Sequence, residues 1–312
     1  PYVTILGPIE SAAKRISVMG IANKVAGALG SLIFGALLLS GIDEVNEKLN
    51  TVSGEEKNQL LDTMADSVFV PYIVMAVVLM ILGFMIRKAP LPHVEATPIQ
   101  EEVKGKTAKT SIFQFPQLIL GVVALFMYVG VEVIAGDSII AYGLSLGMPV
   151  SEAKWFTTFT LFAMVGTYSL GVILIPKYLS QTTALRISGI LGIILSLVIV
   201  NTSGFNSVLL VASLGIANAL VWPAIWPLAI DGLGKFTKTG AAFLIMAISG
   251  GAILTPLYGK LVDYLKEVYL AEGMEEVLAT AHSANQGYWI LLPAYIIIFL
   301  YAFKGHKIKS WR

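Results

Sequence analysis

The chain has 312 residues, 56% of them hydrophobic and 13% charged, with a net charge of +1 and no cysteine. A soluble domain carries about 25% charged residues, so this composition excludes an ordinary soluble protein and implies an all-α polytopic membrane protein. The small net charge leaves no bulk field for nucleic acid, and the lack of cysteine excludes a disulfide framework, a thiolate nucleophile and a Cys-ligated metal.

A helix needs about 20 mostly apolar residues to cross the hydrocarbon core. In chain order, roughly eight runs meet that demand: 16–42, 68–86, 118–146, 155–175, 187–200, 208–230, 241–262 and 287–303. The run at 187 is short and is expected to extend to Ala184 or Thr202. Residues 2–6, ended by Gly7 and Pro8, read as the last turns of a further helix. Residue 1 is proline and no charged segment leads into an apolar run with a cleavage site, so the start reads neither as a native start nor as a signal peptide.

Charge between the runs sets the orientation, because Lys and Arg are retained on the cytoplasmic side. Lys14 and Arg15 precede the first run. The loop after it is acidic (Asp43, Glu44, Glu47, Glu55, Glu56, Asp62, Asp66). Arg87, Lys88, Lys104, Lys106 and Lys109 mark the next connection, and at every second turn after it Lys177 with Arg186 and then Lys235 with Lys238 repeat the basic side, with acidic or neutral turns between. The loop with Asp263, Glu267, Glu272, Glu275 and Glu276 is acidic again, and the tail carries Lys304, Lys307, Lys309 and Arg312. This alternation predicts an inner-membrane protein with a cytoplasmic C-terminus.

The stretch 89–114 is rich in Pro and charge, with Pro90, Pro92, Pro98 and Gly105, and reads as a cytoplasmic linker. It divides the chain into 1–88, the remainder of an N-terminal bundle, and 115–312, a C-terminal six-helix bundle with a basic tail. A transporter built from two six-helix halves has such a central loop.

No HExxH, GxSxG or GxxxxGK[ST] pattern occurs, and the three histidines (His93, His282, His306) fall in predicted loops or the tail, so an enzyme is not expected. No metal or cofactor is expected beyond a co-transported H+ or Na+. Ionisable residues within the runs are functional candidates, because burying a charge in a bilayer costs several kcal/mol unless it is paired. Glu132 sits mid-span, suited to a cation, a proton or a sugar hydroxyl; the alternative is a permanent ion pair that locks two helices. Asp137 lies about 140° around an ideal helix from Glu132 and shares its face only if Gly136 breaks the helix. Lys24, about ten residues past Lys14 and Arg15, lies roughly 15 Å into the membrane and needs a partner acid, with Glu132 the best candidate in this chain. Asn23 beside it suits a hydroxylated ligand, or else glues two helices.

Asn218, Trp222 and Trp226 recur every four residues on one helix face, and Pro223 and Pro227 bend that helix. Indoles stack on the C–H face of a pyranose while an amide reads hydroxyls; the alternative is that the rings fill core space. Gly27, Ser31 and Gly35, and Gly250, Gly251 and Gly259 with Pro256, are assigned to close helix packing.

Several stretches resemble the fucose, galactose and glucose:cation symporters of the major facilitator superfamily. They are the segment Pro1, Tyr2, Val3, Thr4, Ile5, Leu6, Gly7, Pro8 with Glu10, Ser11, Arg15 and Asn23; Tyr128–Val129–Gly130; Leu233–Gly234 with Thr237 and Lys238; and the run from Gly250 and Gly251 through Thr255, Pro256 and Gly259 to Asp263. The resemblance implies twelve helices in two bundles, alternating access, and uptake of a hexose with H+ or Na+ by a monomer. It places Pro1 late in helix four, so that helices one to three and most of four, with the family's proton-carrying acids, lie upstream. It matches Asn23 to a polar residue of helix five and Trp222 to an aromatic residue of helix ten. Glu132 and Asp137 stand where the fucose branch is uncharged, and Thr167 where it has arginine, which favours the glucose/galactose branch. Substrate-binding candidates are thus Asn23, Glu132, Asn218, Trp222 and Trp226; coupling or ion-pair candidates are Lys24, Glu132 and Asp137. The other readings are a carrier of another polyol or a sugar acid, and a non-transporting membrane sensor or relic.

Overall fold

The computed structural model describes residues 7–38, 42–88 and 109–311. Every regular element among them is helical: α1 (Ala12–Leu38), α2 (Ile42–Thr51), α3 (Glu55–Lys88), α4 (Pro116–Ser145), α5 (Val150–Ala153), α6 (Phe156–Leu174), α7 (Gln181–Val200), α8 (Gly204–Asn218), α9 (Val221–Ile230), α10 (Thr237–Met246), α11 (Ser249–Ala271), α12 (Glu276–Gln286) and α13 (Leu291–Phe303), with short 3-10 turns between some of them. Residues 1–6 and 89–108, which hold the N-terminal stub and most of the expected linker, lie outside the described residues.

Among the described residues, seven helical stretches are long and apolar enough to cross a membrane, and α1, at 27 residues, extends about 40 Å. The protein is a multi-pass membrane protein. The short run at 187 starts its helix at Gln181, where the Ser180 side chain accepts a hydrogen bond from the Thr183 amide. The two acidic stretches expected as loops are largely helical instead. Residues 43–66 form α2 and the first turns of α3, while 263–276 form the end of α11 and the start of α12. Acidic side chains end the hydrocarbon match without ending the helix, so a hydropathy run marks where lipid stops rather than where the hydrogen-bonded ladder stops. His282 accordingly sits on helix α12 against the Tyr269 ring, and His306 in a buried 3-10 turn where its Nδ1 meets the Tyr301 carbonyl.

The core is organised around α4. Its Leu118, Leu125, Ile134 and Ile139 are fully buried against Val211 and Leu214 of α8, Ile225 of α9, and Leu291 and Ile298 of α13. Close approach of α4 and α11 depends on Gly250: a Cβ there would collide with the Phe126 backbone carbonyl. Gly251 also sits close to α4, whereas Gly259 faces open space. A second, smaller cluster joins α1 to α6 through Ala13, Met164 and Tyr168, with Leu220 beside them.

The charged segments separate to opposite ends. At one end, the Ala13 amide and the Ile9 carbonyl bond the Gln181 side chain, Arg186 donates to the Ala302 carbonyl, and Lys309 pairs with Asp231 at 3.0 Å. The Trp311 indole reaches the Phe113 carbonyl and Lys109 reaches the Lys309 carbonyl, so the tail seals the start of α4. Burial and the neighbouring Lys309 hold Lys109 below the usual lysine range. At the other end, Asn285 of α12 donates to the Tyr142 hydroxyl, the Ser207 hydroxyl and the carbonyls of Ile199 and Thr202, tying α12 to α4 and to the α7–α8 turn.

Candidate functional site

A cavity of about 470 Å³ opens between α1, α4, α6 and α9. Each wall follows from local sequence. From α1 come Gly20, Asn23 and Lys24, three to four residues apart on one face. Gly20 lets the Tyr168 ring of α6 lie directly on the α1 backbone, where a Cβ would sit 2.7 Å from that ring. From α4 come Tyr128 and Glu132, one turn apart, and from α9 comes Trp222.

Lys24 Nζ donates to Glu132 Oε1, so an ion pair joins α1 to α4 inside the membrane. Both side chains are largely buried, 16% and 19% exposed. The Tyr128 phenol lies between Glu132 and Tyr168 and interacts with both. The Trp222 ring is tilted against Tyr128, with centroids 6.4 Å apart. The cavity thus presents an ion pair, an amide, two phenols and an indole face, which supply donors, acceptors and an apolar platform for a polyhydroxylated ring. Among the described residues no group of acidic or histidine side chains could hold a metal ion.

Four of the sequence candidates, Asn23, Lys24, Glu132 and Trp222, meet in this cavity. Trp226 and Asn218 lie behind it. The Trp226 ring stacks on Trp222 at 5.6 Å but is 3% exposed, and its Nε1 finds no partner among the described residues. Asn218 is fully buried; its Oδ1 accepts from the Tyr295 hydroxyl at 2.8 Å and its Nδ2 is unpartnered. The reason is the break at Ala219–Leu220 between α8 and α9. It turns Asn218 away from the face that a continuous helix would share with Trp222. Helix α4 runs unbroken through Gly136, so Asp137 stays off the face of Glu132 and is exposed outside the cavity lining, within electrostatic reach of Lys24. Tyr168 and the role of Tyr128 as a cavity wall were not read from the sequence; phenols inside apolar runs were the available signal.

No protein-family model matches the chain. It is similar to the glucose/galactose transporter of Brucella abortus, 30% identical over 272 residues that cover 84% of this chain and 60% of that protein. It is 28% identical over 311 residues to a putative glucose/galactose transporter of Helicobacter pylori, covering 98% of this chain and 69% of the relative. The L-fucose-proton symporter of Escherichia coli is 24% identical over 279 residues, or 87% of this chain and 63% of the relative. The chain thus spans about 60 to 70% of the length of these relatives. The crystal structure of the transporter FucP in the outward conformation superposes with a TM-score of 0.69 at 23% identity, covering 97% of this chain and 70% of that one. The chain therefore has the major facilitator fold. The proteins it is similar to are named as glucose/galactose transporters and L-fucose-proton symporters, which are transporters rather than enzymes.

Proposed function

We propose that the protein takes up a hexose, glucose- or galactose-like rather than fucose, by symport with H+ or Na+ and alternating access across the inner membrane. The observation that carries this reading is the membrane-embedded cavity in which Asn23, the Lys24–Glu132 pair, two phenols and Trp222 converge. A hexose presents hydroxyls around its edge and C–H groups on its faces. Asn23 and the charged pair exchange hydrogen bonds with the edge, and Trp222 covers a face. The relatives named for glucose/galactose support this sugar class. A sugar acid is disfavoured because Lys24 already has its carboxylate partner in Glu132.

The basic end, with the tail and the residue 109–117 segment, faces the cytoplasm, as the retention of Lys and Arg requires. No resident cofactor is needed, and the monomer is the working unit. Ser310→Cys adds a thiol to the tail; labelling that depends on this substitution, by an impermeant reagent and only after the membrane is opened, supports this orientation, and such labelling in intact cells overturns it. The test of function is counter-flow of labelled hexoses by the complete protein in liposomes. Exchange of glucose or galactose in preference to fucose is expected; exchange of no hexose would sink the reading.

A further inference from the structure

Helices α7 and α13 run antiparallel in close contact towards the basic end. Two glycines set the approach: a Cβ on Gly189 would press on the Phe299 backbone, and one on Gly192 would enter the Tyr295 ring. The next pair in this register is Arg186 with Ala302 and Phe303. Arg186 Nε donates at 3.1 Å to the carbonyl of Ala302, which lies in the last turn of α13, where carbonyls lack an amide of their own helix. The guanidinium lies over the Phe303 ring, 5.7 Å from its centroid. The Nε bond and the ring together fix the plane of the group. Its two terminal nitrogens meet no acceptor among the described residues.

The surroundings are apolar towards the bilayer and basic towards the water. Ile187 and Ile190 of α7 and Leu300 and Phe303 of α13 are exposed, and the antiparallel packing turns both stripes to the same side of the pair. Beyond Phe303 follow Lys304 and Lys307, both exposed. His306 lies within electrostatic reach of Arg186, Lys307 and Lys309, so these cations crowd one corner. Asp231 already pairs with Lys309. We infer that this corner binds the headgroup of an anionic phospholipid, with Arg186 as the ligand of its phosphate and the acyl chains along the α7–α13 face. A planar guanidinium held at Nε offers parallel N–H donors that match two phosphate oxygens. Basic pockets between membrane helices are suited to such headgroups. A zwitterionic headgroup presents the same phosphate but brings its own cation into a corner that already holds Lys304 and Lys307. The inference stands apart from the hexose reading, because it uses no residue of the cavity.

The test is native mass spectrometry of the complete protein, purified in mild detergent and offered equal amounts of phosphatidylglycerol and phosphatidylcholine. Preferential retention of phosphatidylglycerol is expected. A basic side chain at an anionic lipid surface changes affinity by about fivefold, so Arg186→Gln should lower the preference by that factor. Lys304→Gln combined with Lys307→Gln should lower it as well, and leaves Arg186 and its bond to Ala302 in place. Arg186→Lys keeps the charge, loses the paired donors and falls between. Lys238→Gln, which removes an exposed cation of the same end on α10, should change nothing. An excess of inorganic phosphate should leave the lipid bound; full displacement would mean a bare anion site and overturn the inference. Equal retention of the two lipids would overturn it too. So would a loss in Lys238→Gln as large as in Arg186→Gln, which would assign the effect to bulk charge. If Arg186 only caps α13, Arg186→Gln lowers thermal stability while the lipid preference stays, and the inference falls. Exchange of no hexose in the functional test would leave it standing, so the two readings fail separately.

Discussion

Helices α3 and α4 are of similar length and hydropathy, yet none of the apolar window of α3 is buried while 56% of that of α4 is. Water-to-lipid transfer alone does not choose between a lipid neighbour and a protein neighbour, since both are apolar. The difference lies in the minority residues. Between Phe69 and Ile86, α3 offers aliphatic and aromatic side chains with one tyrosine and one glycine and no charge. Between Gly121 and Tyr142, a slightly longer stretch, α4 carries Gly121, Tyr128, Gly130, Glu132, Ser138 and Tyr142, and each of these meets a protein partner. Gly121 lies under Ala229 and Tyr301, Gly130 against Leu254, Glu132 pairs with Lys24, and the hydroxyls of Ser138 and Tyr142 meet Tyr288 and Asn285. Small residues and hydrogen-bonding groups are what give α4 its partners among the described residues, in a chain that spans about 60 to 70% of the length of its relatives.

That contrast breaks most visibly at glycines. Gly250→Leu forces a side chain into the Phe126 carbonyl, while Gly83→Leu on α3 enters open space. The first is expected to cost at least about 3 kcal/mol by overpacking and the second less than about 0.5 kcal/mol, read as thermal stability in detergent. Equal losses would dissolve the distinction between the two helices. Asn285→Leu removes the amide donor shared by the Tyr142 and Ser207 hydroxyls and the Ile199 and Thr202 carbonyls at the end of the α4 core far from the tail. The expected loss is about 1–3 kcal/mol by the same measurement.

Two further substitutions sharpen the contrast within α9. Trp222→Ala should weaken hexose binding by about 1–3 kcal/mol in a titration of the purified carrier, because the ring lines the cavity. An unchanged affinity would return Trp222 to packing. Trp226→Phe keeps the buried ring and deletes an indole N–H that has no partner, so affinity should be unaltered and stability should change by less than about 1 kcal/mol.

The spans were legible because lipid imposes a length of apolar chain that few other environments demand, and the described part of each of the eight runs is helical, although 208–230 and 241–262 are each divided between two helices. Their ends were less so, since α2, α3, α11 and α12 carry acidic turns beyond the apolar stretch. At the site, Glu132 and Lys24 stood out because a charge in an apolar run demands a reason, and the geometry makes them each other's partner. Asn218 did not line the cavity because its spacing to Trp222 assumed an unbroken helix, and the Pro223 effect on the preceding turn is felt at Ala219–Leu220. Tyr168 was hidden because its place in the wall depends on Gly20 of another helix, a pairing no local pattern encodes.

The stacked indoles of Trp222 and Trp226 also make this protein optically self-reporting. The other tryptophans (Trp155, Trp289 and Trp311) stand at or beyond the helix ends, so the paired rings are the chromophores of the bilayer interior. At 5.6 Å and 22° their transitions couple, and any ligand that docks on Trp222 would perturb one member of the pair. Ultraviolet circular dichroism and tryptophan emission thereby become signals of occupancy that need no added label.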